Sequence, residues 1–299
     1  MLISLLTGAR YHDHGGHAVT LDRAGSVPTM FDYHVHTTQS ADCSTPIFDS
    51  CEAAVRAGVT EIAFSDHIEH EPADMSYGFF DYTTYMRDLE AARDRFGDQI
   101  VILAGAEVDF NTGIASEVED FLNRHAFDFV IGSVHYGEAG ELIFPEYIRQ
   151  RSMDDVMKPY LEQIQAAAET GWFDTIGHLD LPKRYRPLDH DDYDPMRYEL
   201  ELTHAMNAMI DRRISFEINT SGLRQPPKTS MPGPRVVALY VQLGGRLITM
   251  GSDSHVPETI GAGFGRTFDM LELCGIDGIG SFRQRVRTTV PIRSLARSS

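Results

Sequence analysis

The sequence predicts an α/β barrel, a ring of parallel strands with helices outside it, and two observations carry that expectation. From Phe31 onward, short apolar runs rich in β-branched and aromatic residues alternate with longer runs of helical period. Such alternation builds a parallel sheet, either closed into a barrel or open and doubly wound. The second observation separates the two. Strand-like runs end in, or lead directly into, His34 and His36, Asp66 and His67, Glu107, His135, His178, Asn219, and finally Asp253 and His255. In a barrel all strand carboxyl ends open onto one mouth and these side chains can meet, whereas an open sheet offers only its switch point.

Seven strands are expected: Phe31–Val35, Glu61–Ser65, Ile100–Val108, Phe127–Val134, Asp174–Gly177, Ile214–Asn219 and Arg246–Gly251. Between them, helical periodicity marks Ile47–Ala57, Tyr82–Phe96, Glu117–His125, Asp154–Thr170, Pro195–Arg212 and Gly233–Leu243. Gly58, Gly97, Gly171 and Gly244 fall where helices should stop. There is no internal repeat and no apolar run of ~18 residues that could span a membrane.

Residues 1–29 read differently. An apolar start, Met1 to Leu6, lacks the basic flank and small-residue cleavage site of a signal peptide. His12, His14 and His17 lie among Gly and Asp, and a poorly ordered extension is expected, with the folded domain occupying 30–299 from Met30, which directly precedes the first strand. The three cysteines, Cys43, Cys51 and Cys274, show no paired spacing, so reduced thiols and a cytoplasmic setting are expected. A formal charge of −18 argues against a nucleic-acid surface, which needs clustered Lys and Arg. An anionic small substrate would need local positive charge, and bound cations can supply it.

The chemistry starts at Asp32-Tyr33-His34-Val35-His36. On a strand, side chains two apart share a face, so both imidazoles can grip one ion. Imidazoles mixed with carboxylates suit zinc, iron or manganese, whereas calcium or magnesium alone would ask for oxygen ligands almost throughout. One ion cannot use the whole strand-end set. A cluster can if a carboxylate bridges, and Glu107, from the middle of the set, is the natural bridge.

Taken together, these residues resemble the polymerase-and-histidinol-phosphatase (PHP) superfamily, and its histidinol-phosphatase branch closely. The matching motifs are Asp32 to Thr37, Phe64-Ser65-Asp66-His67, Gly105 to Phe110, Phe127 to His135, Gly177-His178-Leu179-Asp180, Glu217 to Arg224 and Gly251 to His255, covering about residues 30 to 290. One departure is Asp66, where that branch often has Glu. The resemblance implies a distorted (β/α)7 barrel of TIM-like form, the PHP fold, with three divalent transition-metal ions, zinc, iron or manganese. Carried over, the first ion would take His34, His36, Glu107 and Asp253. The second would share Glu107 and add His135 and His178. The third would take His67, His255 and Asp42, which stands six residues after His36.

The implied reaction is hydrolysis of a small phosphate monoester, with L-histidinol phosphate, an intermediate of histidine biosynthesis, as the leading substrate. Glu107 and Asp253 would act in catalysis through the ions. Asp32, Asp66 and Asp180 are expected to orient imidazoles, with donation of a proton to the leaving alcohol as the sharper reading. Arg224 and Arg184 are the candidates for bidentate phosphate binding, with Lys183 in reserve. His70, His125, His190 and His204 receive no role, and Trp172 is expected in the core. Two other readings stand beside this one: a PHP phosphoesterase acting on nucleotides or other phosphate esters, and a non-catalytic PHP module. The latter predicts eroded ligands, whereas all nine ligand positions are filled here.

Overall fold

In a computed structural model, which describes residues 30–136, 145–185 and 193–295, the chain runs β1 (Phe31–Val35), α1 (Ile47–Ala57), β2 (Glu61–Phe64), β3 (His67–Ile68), α2 (Tyr82–Phe96), β4 (Val101–Asp109), α3 (Ala115–Arg124), β5 (Phe129–Ser133) and α4 (Pro145–Arg149). It continues through α5 (Met153–Thr170), β6 (Thr175–Ile176), α6 (Glu199–Arg212), β7 (Ser215–Asn219), α7 (Ser221–Arg224), α8 (Pro234–Gln242), β8 (Ile248–Gly251), α9 (Phe264–Leu273), β9 (Gly278–Arg283) and β10 (Val286–Pro291). All seven expected strands form, in the order β1-β2-β4-β5-β6-β7-β8, and every ladder among them is parallel. The ring closes just beyond β8, where His36 N donates to Ser254 O at 2.9 Å and Ser254 N to His34 O at 3.3 Å. This is a nearly closed α/β barrel of TIM-like form.

Local chemistry explains where the elements stop. Gly58 and Gly171, at φ +76° and +74°, take the left-handed turn that ends α1 and α5 and that a β-carbon would strain. The Asp81 side chain caps α2 by accepting from Thr84 N at 2.7 Å, and Ser152 caps α5 by accepting from Asp155 N at 3.2 Å. The expected helix Pro195–Arg212 divides into a 3₁₀ turn, Pro195–Tyr198, followed by α6.

Besides the short helices α4 and α7, three pieces were not anticipated. The two-residue β3 adds to the inner edge of β4, pairing His67 with Glu107. Helix α9 and the antiparallel β9–β10 hairpin follow the last barrel strand. Arg285 N in the hairpin donates to Asp128 O, and the Arg285 guanidinium pairs with Asp174. Asp128 and Asp174 immediately precede β5 and β6, so the hairpin caps the amino-terminal end of the barrel. There Phe282 packs against Tyr33 and Phe129, with ring centroids 6.0 and 4.9 Å away. With that end stoppered, the carboxyl-terminal mouth is left for chemistry.

The sequence expectations for residues 1–29, including His12, His14 and His17, and for His190 lie outside the described residues. Trp172 is partly buried against Phe110, 6.3 Å between centroids. All three cysteines are free thiols. Among the described residues no helix is long and apolar enough to cross a membrane.

Closure depends on Gly251. A β-carbon there would sit 2.2 Å from His34 Cβ and 2.7 Å from Glu217 Oε1, where β8 comes against β1 as the ring closes. Gly251→Ala is therefore expected to destabilise the fold by about 1–3 kcal/mol, the usual range for overpacking. The measurement is urea unfolding, where the midpoint should fall.

Candidate metal centre

Glu107 lies at the middle of the mouth, on β4, and is 1% exposed. Imidazoles approach its carboxylate from several strands. His34 Nε2 is 3.1 Å and His36 Nε2 3.5 Å from Oε2, while His178 Nε2 is 2.9 Å and His135 Nε2 3.4 Å from Oε1. His67 Nδ1 is 3.1 Å from Oε2. Ser133 Oγ adds a hydrogen bond to Oε1 at 2.6 Å. Burial opposes ionisation of this carboxyl, but His34, His67 and His135 outweigh it and hold Glu107 well below the usual carboxylate range.

On the far side of His36, the Asp253 carboxylate divides its work. Its Oδ1 lies 3.5 Å from His36 Nε2 and 3.6 Å from His255 Nδ1. Its Oδ2 accepts from Arg184 Nη2 at 2.6 Å, Ser221 Oγ at 3.0 Å and Asn219 Nδ2 at 3.3 Å. Asp253 itself stands at φ +52°, an uncommon conformation that Asp tolerates better than most residues and that functional sites collect. Asp42 is about half exposed, with Oδ2 3.1 Å from His255 Nε2 and 3.6 Å from His67 Nε2. Neighbouring Cys43 is turned to the His255 carbonyl instead, at 3.3 Å.

All nine sequence-predicted ligand positions are therefore brought to one place. Several of their polar atoms, His34 Nε2, His36 Nε2, His67 Nδ1 and Glu107 Oε2, are buried without a hydrogen-bond partner. Buried polar groups left unpaired are costly and rare in folded proteins. Two ligands each ~2.1 Å from a shared tetrahedral ion lie ~3.4 Å apart, which matches the spacings around Glu107. Burial, with His255 and His67 beside it, pushes His36 down to about 3, so it presents a neutral imidazole with a free lone pair. A mixed nitrogen and carboxylate set of this kind fits divalent transition metals.

The chain belongs to the PHP domain family. The family profile matches residues 32–221. A probable histidinol-phosphatase of Deinococcus radiodurans is 30% identical over 79% of this chain and 90% of its own length. The histidinol-phosphatase of Lactococcus lactis subsp. lactis is 26% identical over 84% and 93%. Among solved structures, a Lactococcus lactis histidinol phosphate phosphatase complexed with zinc, L-histidinol and phosphate is similar at a TM-score of 0.78. It has 24% identity and covers 86% of this chain and 98% of that one, a likeness of fold.

Within this PHP domain the matched span stops before Asp253 and His255, which the fold nevertheless returns to His36; the His255 ring stacks on it at 4.1 Å. The remaining predicted residues take varied places. Asp66 is buried and accepts from Thr37 N at 2.6 Å, Thr37 Oγ1 at 2.9 Å and Ser40 Oγ at 2.8 Å. Its carboxylate reaches the cluster through Ser40, whose Oγ is 3.1 Å from His36 Nδ1. Asp32 likewise holds backbone, accepting from Ser252 N and Gly261 N at 2.9 and 2.8 Å. Direct contact of these two with an imidazole, and proton donation by Asp66, are not what the geometry offers, because their oxygens are occupied elsewhere. Lys183, the reserve phosphate candidate, donates from Nζ to Asp180 Oδ2 and Ser230 O, each at 2.8 Å. Asp180, raised by burial against the pull of Lys183, keeps its Oδ2 on that lysine and on the Tyr193 hydroxyl at 3.3 Å.

Two carboxylates that the sequence reading passed over complete the centre. Glu217, 2% exposed, takes His34 Nδ1 at 2.6 Å and His178 N at 2.7 Å. It precedes Asn219 by two on β7, so strand alternation could have placed it on the inner face. Glu69, the other, sits beyond His67. Replacing Glu107 with Gln should lower metal content by at least two equivalents, since the lost charge faces imidazoles on both its oxygens. Elemental analysis of the purified variant beside the parent measures this.

Proposed function

We propose that this chain is a metal-dependent phosphomonoesterase that hydrolyses L-histidinol phosphate to L-histidinol and phosphate. The observation that carries the reading is the convergence of nine metal-suited side chains with two half-satisfied arginines at one barrel mouth, in a relative of histidinol-phosphatases. Three ions are proposed: one at His34, His36, Glu107 and Asp253, one at Glu107, His135 and His178, and one at His67, His255 and Asp42. When bound, such ions supply Lewis acidity toward phosphate oxygens and acidify water to near-neutral pKa. Residues 30–299 are taken as the catalytic domain.

The protein's own contribution is orientation and charge. Glu217 fixes His34, and Ser40, held by Asp66, sits against His36 Nδ1, so the Nε2 atoms of both rings face Glu107. Arg224 Nη2 donates to Ser252 O at 2.7 Å, while its Nη1 is buried without a partner. Arg184 Nη2 is held by Asp253 and Ser221, both at 2.6 Å, and its Nε is buried and unpartnered. These orphaned guanidinium donors are the proposed phosphate contacts. They lie next to the ion positions, where a dianion would be met by charge from both sides.

Arg224→Ala should keep its metals and lose about 2–4 kcal/mol of transition-state stabilisation, ~30- to 1,000-fold in kcat/KM, with Lys recovering only part. Arg184→Ala should also lower metal content, because it releases Asp253 Oδ2. The test of substrate is a panel of phosphomonoesters assayed with metal-supplemented protein. Histidinol phosphate should show the highest kcat/KM, and a preference for nucleotides would favour the other phosphoesterase reading.

A further inference from the structure

We infer that Glu69 is a positioning residue, orienting His135 by a hydrogen bond while its charge also acts on His67 of the neighbouring ion position, so that both positions draw affinity from it. The inference rests on the metal-centre reading above. Glu69 follows β3 directly and is 7% exposed. Its Oε1 lies 3.1 Å from His135 Nδ1 and 3.4 Å from His67 Nδ1. These histidines belong to different proposed ions, so one carboxylate oxygen touches both halves of the centre.

The bond to His135 decides a tautomer. A carboxylate can only accept, so His135 Nδ1 carries the proton and its Nε2, 3.4 Å from Glu107 Oε1, carries the lone pair. Asp109 assists from the backbone, accepting His135 N on Oδ1 at 2.8 Å while the same oxygen lies 3.6 Å from Nδ1. Glu69 holds the ring, and Asp109 holds the chain that bears it. Without Glu69 the imidazole could rotate or change tautomer, and either change turns an N–H toward Glu107.

Glu69, Asp109 and His135 could be read as a separate cation site, since their ligand atoms lie within 4.8 Å of one another and Glu69 Oε2 and Asp109 Oδ2 are buried without partners. That would require His135 to ligate through both nitrogens. A neutral imidazole has one lone pair, which Nε2 already presents toward Glu107. The two carboxylates are therefore acceptors for His135.

The experiment is zinc titration of chelator-stripped protein against a chromophoric competing chelator, for the parent, Glu69→Gln and Glu69→Asp. Gln keeps the shape and removes the charge, and unchanged circular dichroism of the stripped variant controls for folding. Two of the binding equivalents should weaken ~10- to 100-fold in Glu69→Gln, the usual loss when an outer partner of a ligand is removed, with Asp intermediate. Parent affinity at every equivalent in the Gln variant would overturn the inference. So would outright loss of a single equivalent with the others unchanged, since that is the signature of a separate cation site. If the parent itself takes up no zinc, the metal-centre reading fails and this inference falls with it.

Discussion

A carboxylate buried at 1% exposure in the centre of a barrel is unstable alone, and the rest of this structure answers Glu107. An ionised carboxyl removed from water must be paired, or it takes up a proton. Here five imidazoles from β1, the β2–β3 region and the ends of β5 and β6 approach within 3.5 Å of it. Three of those rings, His34, His36 and His178, are buried and the other two are half-buried, so the cluster needs positive charge that can be shared among several donors. Divalent cations meet that need. Strand β4, the longest of the barrel at nine residues, carries Glu107 between pairs of neighbouring strands and fixes its position before any side chain is considered.

The same logic reconciles an acidic chain with an anionic substrate. With 44 acidic residues against 26 Lys and Arg, the overall field repels phosphate. Attraction must be local, within a Debye length of ~8 Å at physiological salt. In the proposed reading it comes from the mouth, where cations would sit on one side and Arg184 and Arg224 lie on the short helical turns that follow β6 and β7. Asp253 joins the two halves, one oxygen toward His36 and the other bonded to Arg184.

Much of this was legible in the sequence because barrel strands impose two simple rules. The period of two told that His34 and His36 share a face, and the location of His or acid at strand ends told that they share a mouth. Helices α1 and α2 matched their expected limits, since glycine ends one of them and a capping Asp begins the other. What escaped had weaker signals. Strand β3 is two residues long and cannot show a period, so nothing in the sequence pattern marked Glu69 beside it. The β9–β10 hairpin opens on Gly-Ile-Gly, a poor strand former, although Val286 to Val290 does alternate. The burden on Lys183 and Asp66 was harder to read for another reason: Asp180 is a local partner of Lys183, three residues before it, but Ser230, Thr37 and Ser40 are brought in by the tertiary fold.

The account depends on Glu107 holding ions on both of its oxygens. Anomalous diffraction from crystals grown with zinc measures this directly. The account predicts separate anomalous peaks on the two sides of the carboxylate, one within ~2.2 Å of both His34 Nε2 and His36 Nε2, the other within that distance of His135 and His178. A single peak bound through one oxygen only, or density that avoids Glu107 while occupying other surface histidines, would contradict it.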